Sequence, residues 1–96
     1  MKFAILALIK PQHVDKGDPT PLDSWRSMVD SIETTAFATT VKPQRLGDGV
    51  WQFDLTSGLR NFILSAAAAN GTKLEYRVLF LDEEPVWAVA PALSPR

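Results

Sequence analysis

The chain has 96 residues, a formal net charge of -1 and no cysteine, with 46% hydrophobic and 22% charged residues. This length suits one domain and is too short for two. The composition is that of a globular protein and excludes collagen-like, strongly basic and acidic disordered classes. Without cysteine, disulfide scaffolds, thiolate metal sites and cysteine nucleophiles are excluded as well.

The charge pattern also restricts the partners that we expect. The 10 Lys and Arg residues are scattered along the chain, whereas sequence-independent nucleic-acid binding needs a concentrated basic footprint. No apolar stretch approaches the roughly 20 residues that span a bilayer. We therefore expect a protein partner or a homodimer in the cytoplasm, with no membrane partner, and we rank nucleic acid last.

Residues 2–10 predict the first strand. Its two faces are both apolar, with Phe3, Ile5, Ala7 and Ile9 on one and Ala4, Leu6 and Leu8 on the other. Such a pattern is typical of a strand in the middle of a sheet. Because Lys10 and Pro11 follow it and no small-residue cleavage site does, we interpret it as a strand and not as a signal peptide.

A polar loop over residues 11–20 leads into the first helix. Thr20 is expected to cap this helix and Pro21 to open its first turn, and the helix is predicted to end near Thr35. Its apolar stripe consists of Leu22, Trp25, Met28 or Val29, Ile32 and Ala36.

A hairpin follows the first helix. Residues 38–46 are β-prone, and Pro43 restricts them to an edge strand. The pair Asp48-Gly49 is a strong hairpin signal, and residues 50–55 form the returning strand. Alternation predicts that Trp51, Phe53 and Leu55 face inward.

The second helix is predicted between a cap at Thr56 or Ser57 and an end at Asn70-Gly71, with Gly71 left-handed. Its expected core stripe consists of Leu59, Phe62, Ile63, Ala66 and, at its end, Ala69.

Residues 73–81 predict a fourth strand. After an acidic turn over 82–85, residues 86–90 predict a short fifth strand. On the fourth strand, Leu74, Tyr76, Val78 and Phe80 share one face, and Glu75, Arg77, Leu79 and Leu81 share the other.

The order βαββαββ resembles that of ferredoxin-like domains, and the resemblance covers nearly the whole chain. It implies an α+β, split βαβ sandwich with an antiparallel sheet in the order 5-4-1-3-2 and both helices on one face. We expect a single domain over 1–91 and a loose tail over 92–96. Since this fold hosts many unrelated functions, it assigns no functional residue.

The sheet face without helices is the predicted binding surface. An apolar strip of this kind usually marks an interaction site, unless the tail at Ala92-Leu93 folds back over it. The residues predicted for this surface are Leu6, Leu8, Leu79, Leu81, Trp87 and Arg77.

The sequence favours a small non-catalytic protein-binding module of the regulatory, inhibitor or immunity type. No cofactor and no metal ion are expected, because no ligand spacing matches a known pattern. The alternative is an enzyme of the dimeric α+β-barrel kind that acts on a small apolar molecule. In that case His13 would be the acid/base, with Asp15 and Tyr76 beside it.

Overall fold

The computed structural model describes residues 1–11, 17 and 20–86. These residues form one antiparallel sheet of four strands and two helices, an α+β architecture. In chain order the elements are β1 (Phe3–Leu8), α1 (Thr20–Ala36), β2 (Gln44–Gly47), β3 (Val50–Asp54), α2 (Leu59–Asn70) and β4 (Tyr76–Leu81).

The strands lie in the order β2-β3-β1-β4. The central position of β1 and the edge position of β2 are confirmed. The five-strand order 5-4-1-3-2 is wrong for the described residues, which contain four strands. Those four have the neighbours that the sequence predicts. Of the predicted fifth strand, Val86 belongs to no strand, and residues 87–90 lie outside the described residues.

The hydrophobic core lies between one face of the sheet and both helices, as predicted. From β1 it takes Ala4, Leu6 and Leu8, which alternate with half-buried residues on the other face. The helices and β3 contribute Trp25, Val29, Ile32, Ala36, Trp51, Phe53, Phe62 and Ala69. The α1 stripe is therefore confirmed, with Leu22 and Met28 packed at its margin.

The β2–β3 turn is fixed against the core at Gly49. This glycine has φ +76, a left-handed conformation that side chains rarely adopt. Its carbonyl accepts a hydrogen bond from the Leu8 N–H at 2.7 Å. The Trp25 indole donates to the Leu8 carbonyl at 2.9 Å, so the turn, β1 and α1 meet at one point. The predicted Asp48-Gly49 turn is confirmed.

Strand β2 begins at Gln44, six residues after the predicted start at position 38. In the segment before β2, side chains donate hydrogen bonds to the backbone carbonyls. The Thr39 hydroxyl lies within hydrogen-bond distance of the carbonyls of Ala36 and Val41, which share its one hydrogen, and the Asn61 amide donates to Val41. These local bonds replace a strand ladder.

The buried face of α2 matches the prediction in part. Phe62 and Ala69 are buried and Ala66 packs against the core, as predicted. Leu59 and Ile63 are exposed instead, and the polar residues Asn61 and Ser65 are buried. The reason is the Asn61 amide, which reaches the Ala36 carbonyl at 3.0 Å and turns its own side of the helix inward.

The ends of α2 also differ from prediction. The helix follows Gly58 and has no side-chain cap. Gly71 has φ -76, in the right-handed region, and its N–H donates to the carbonyls of Ala67 and Ala68. The left-handed prediction for Gly71 is therefore wrong, because the chain leaves the helix without reversing its handedness.

Candidate binding surface

The sheet face opposite the helices carries the side chains that alternate with the core. We call this surface the open face. It consists of Phe3, Ile5, Ala7, Gln44, Val50, Gln52, Asp54, Arg77, Leu79 and Leu81. None of its apolar residues belongs to the hydrophobic core cluster or to the side chains packed against it, and its polar member Gln52 is buried at 5% exposure.

Register places the apolar members of the open face side by side. Ile5 of β1 lies opposite Leu79 of β4, and Phe3 lies opposite Leu81. Opposed side chains on one sheet face are within contact distance. Leu79 is 56% exposed, and the other three are half-buried. These four side chains form a continuous apolar row across two strands.

The charged groups at the margin of the open face have partners within the chain. The Arg77 guanidinium donates to the Glu75 carboxylate from Nε at 3.1 Å and from a terminal nitrogen at 2.9 Å. The Asp54 carboxylate accepts the Thr56 N–H at 2.8 Å. This bond lowers the pKa of Asp54 below its ordinary 3.8, while burial opposes it. The margin of the open face therefore carries one ion pair and one carboxylate that is held by backbone N–H groups.

The structure divides the residues predicted for the binding surface. Leu79, Leu81 and Arg77 lie on the open face. Leu6 and Leu8 do not, since both are buried in the core; that part of the prediction is wrong. The correct β1 residues are Phe3, Ile5 and Ala7, because the odd positions oppose the exposed side of β4.

Of the remaining candidates, the described residues include Tyr76 alone. Trp87, His13 and Asp15 lie outside the described residues. Tyr76 is on the helix side of the sheet, where its hydroxyl donates to Asn70 Oδ1 at 2.9 Å.

A cluster of charged side chains at the β2 edge of the sheet holds the β2–β3 hairpin to α1. Glu33 Oε2 accepts hydrogen bonds from Arg45 Nε at 2.8 Å and from the Trp51 indole at 3.0 Å. Asp48 pairs with Arg45 and, at 3.9 Å, with Arg26. Two acidic and two basic side chains pair with one another in this cluster. Its role is therefore to hold the hairpin against α1.

A groove of about 780 Å³ lies between α1 and residues 72–74. Its polar lining comprises hydroxyl groups of α1 and Thr72 together with the Lys73 amine. None of these lining residues is a carboxylate or an imidazole. Among residues 1–11, 17 and 20–86, no three metal-ligating side chains cluster.

Sequence reasoning missed a second exposed apolar region. Leu59 and Ile63, on either side of Phe62 in the α2 sequence, are exposed, and so is Phe80 of β4, whose ring is 5.9 Å from that of Phe62. We call Leu59, Ile63 and Phe80 the α2–β4 strip. The signal that could have located it is Asn61 and Ser65, polar residues one turn apart that occupy the buried face of α2.

Neither helix of the described chain has the length and apolar character needed to cross a bilayer. Comparison with protein-family models, with curated proteins and with solved structures finds no match for this chain.

Proposed function

We propose that this chain is a small non-catalytic protein-binding module of the regulatory, inhibitor or immunity type, and that the open face receives the partner. The observation that carries the proposal is the apolar row around Leu79, which is 56% exposed. Apolar surface in water is unfavourable, and a contiguous patch of it is a common mark of an interaction site.

The charges around the open face favour a partner of particular chemistry. Arg77 is paired with Glu75, and Asp54 is engaged by backbone N–H groups. Both charged groups therefore have partners within the chain, and binding does not require an oppositely charged group on the other protein. The surface fits an apolar, uncharged region of another protein. It fits nucleic acid poorly, because phosphate binding requires unpaired basic groups.

The size of the open face limits the affinity that it can supply alone. Four strands spaced about 4.8 Å apart, with about 3.3 Å per residue along each, give a flat footprint of roughly 400 Å². A standard protein–protein interface buries about 800 Å² on each partner. Weak binding is expected unless further surface contributes.

Dye binding tests whether the open face is an accessible apolar surface. The probe is 8-anilinonaphthalene-1-sulfonate, whose fluorescence increases on apolar surfaces. The variant Ile5→Thr/Leu79→Thr should lose a clear part of the fluorescence of the native chain, and the exposed apolar side chains of α2 and β4 should supply the remainder. The matched control Leu64→Gln, which removes an exposed leucine from α2, should not. Equal fluorescence in all three proteins would contradict the proposal.

Protein capture extends the same comparison to partners. The native chain, the open-face variant and the Leu64→Gln control are immobilised and exposed to one lysate. A protein retained by the native chain and the control, but lost from the open-face variant, supports the proposal. If the open-face variant retained the same proteins as the native chain, the proposal would be overturned.

The βαββαβ order of the described residues supports a finer assignment as well. A split βαβ arrangement with two helices on one face of an antiparallel sheet is compatible with a ferredoxin-like sandwich. We propose that class for this domain.

The enzymatic alternative stays a prediction. It requires an apolar pocket and His13 as acid/base, with Asp15 and Tyr76. No observation among the described residues favours it, because the space between sheet and helices is filled by buried side chains such as Trp51 and Leu6.

A further inference from the structure

Strand β4 has one edge without a neighbouring strand in the described part of the chain. The carbonyls of Glu75 and Leu81 accept hydrogen bonds from Ile9 and Lys2, on the β1 side. In an antiparallel strand, both backbone polar groups of a residue point the same way and alternate along the chain. The N–H and C=O groups of Tyr76, Val78 and Phe80 therefore point toward the unpaired edge.

The two edges of this sheet differ in how they are protected. Strand β2 has four residues, follows Pro43 and contains an irregularity between Arg45 and Gly47. These features discourage pairing with another chain. Strand β4 has six residues, no proline and an unbroken register with β1. It carries none of the protecting features that β2 has.

Exposed apolar side chains accompany the unpaired edge on its helix side. In the α2–β4 strip, Phe80 is 45% exposed and Ile63 is 52% exposed. Backbone groups ready to form hydrogen bonds and a neighbouring apolar strip are the two components of a strand-addition interface.

We propose that the edge of β4 is an interface between two copies of this chain, which pair antiparallel about a twofold axis at Val78. This register places Val78 opposite Val78 and Tyr76 opposite Phe80 twice. In all three pairs the backbone N–H and C=O groups point toward the partner copy. Each pair exchanges two hydrogen bonds, so this register gives six. A register centred on Leu79 pairs Val78 with Phe80 twice and gives four.

Charge is compatible with the Val78-centred register. Arg77 of one copy lies opposite Leu79 of the other, and Glu75 lies opposite Leu81. No like charges are directly opposed, which would be unfavourable. The same surface serves both copies, as a twofold interface requires.

The competing occupant of this edge is the chain's own segment after the acidic turn. A hairpin onto β4 would place Val86 beside Leu81 and cover it. Val86 is instead 94% exposed and belongs to no strand. Val86 therefore does not continue the chain as a tight hairpin on β4, and the β4 edge has no neighbour among the described residues.

The dimer deepens the proposed function without depending on it. Edge pairing joins two four-stranded sheets, so the two open faces become one surface. Its footprint doubles from roughly 400 Å² to roughly 800 Å², the size expected for one side of a standard interface. The dimer thereby supplies the area that a single open face lacks.

Single cysteines test the interface, since the chain has none of its own. A disulfide can then form only between two copies. In Val78→Cys the paired Cα atoms would be about 5.5 Å apart, within disulfide range. We expect Val78→Cys to cross-link at least about tenfold faster than Gln44→Cys on the β2 edge, because the paired thiols are held together.

A second position tests the register. In Phe80→Cys the two sulfurs would be separated by four residues along the strands, so cross-linking should match that of Gln44→Cys. Cross-linking of Phe80→Cys as fast as that of Val78→Cys would overturn the register. Failure of Val78→Cys to exceed the Gln44→Cys control, with its circular dichroism spectrum unchanged, would overturn the interface.

Sedimentation of proteins without cysteine completes the test. The native chain should show a concentration-dependent dimer, and Phe80→Lys should be monomeric while keeping its helical circular dichroism. The single substitution Ile5→Thr, which changes the open face on β1 only, should leave the protein dimeric, and this separates the inference from the proposed function. A native chain that stays monomeric at every concentration would overturn the inference, and dye binding would still report on the open face.

Discussion

The side-chain amide of Asn61 donates to the main-chain carbonyl of Ala36 at 3.0 Å, across 25 residues of sequence. The same nitrogen also lies within hydrogen-bond distance of Thr39 Oγ1 and of the Val41 carbonyl. One buried amide thus links the end of α1, the segment after it and the first turn of α2. This link sets the rotation of α2 about its axis, and hence the exposure of Ile63.

Replacing Asn61 with alanine should destabilise the fold. The substitution removes the amide donor of the Ala36 and Val41 carbonyls and leaves them to share the single hydroxyl hydrogen of Thr39, and a buried polar group without a partner costs about 1–3 kcal/mol. Urea unfolding followed by circular dichroism measures the change. The matched control is Asn70→Ala, since Asn70 meets Tyr76 at an exposed site. A loss for Asn61→Ala no larger than for Asn70→Ala would contradict the assignment.

Glu33 should be important for stability because of the hydrogen bond it accepts, more than because of its charge. Glu33→Ala leaves the buried Trp51 indole N–H without its acceptor, at a cost of about 1–2 kcal/mol. Glu33→Gln keeps an oxygen for the indole and loses only the charge opposite Arg45, so its cost should be smaller. Thermal unfolding of both variants distinguishes the two contributions.

The control for Glu33 is the exposed pair of Glu75 and Arg77. Exposed ion pairs contribute little, so Glu75→Ala should change the free energy of unfolding by less than about 1 kcal/mol. If Glu33→Gln were as damaging as Glu33→Ala, the charge on Glu33 would be the dominant factor and the hydrogen bond to Trp51 secondary.

The sheet was more predictable from sequence than the second helix. Two-sided apolarity placed β1 in the centre, and Pro43 placed β2 at the edge, because a strand's neighbours determine which faces and backbone groups can be polar. Strict alternation likewise separated Tyr76 and Val78 from Arg77 and Leu79. In a strand, successive side chains point to opposite faces, so the alternation of apolar and polar residues shows directly which face is buried.

Helix α2 was harder because both of its sides are apolar. Leu59 and Ile63 fit a helical stripe as well as Phe62 and Ala69 do, and periodicity alone does not choose between overlapping stripes. The choice depends on Asn61, whose partners at Ala36 and Val41 are distant in sequence. The mistaken placement of Leu6 and Leu8 on the open face has a similar origin, since both faces of β1 are apolar.

Gly49 should tolerate no side chain. Its φ of +76 is unfavourable for other residues, and an added Cβ would lie 3.0 Å from the Leu8 carbonyl and 3.2 Å from the Trp25 ring. Gly49→Ala should therefore lower the free energy of unfolding by about 1–3 kcal/mol. The control Gly47→Ala meets nothing within 4 Å and should be nearly neutral. Equal effects at the two positions would contradict this account of the turn.

The carboxylate of Asp54 should stabilise the fold most above about pH 4. The Thr56 N–H holds its pKa below the ordinary 3.8 in the folded chain. A depressed folded pKa means that the ionised form favours the native state. Its contribution is then complete above the unfolded pKa and disappears as pH falls through the folded pKa.

Asp54→Asn removes this titration, so the stability difference between the native chain and the variant should shrink as the pH is lowered from about 5 to about 2. Thermal unfolding across that range measures the difference. An NMR titration of the Asp54 carboxyl carbon gives the pKa directly. A value at or above 3.8, or a stability difference that does not change with pH, would show that the Thr56 N–H does not favour the ionised carboxylate.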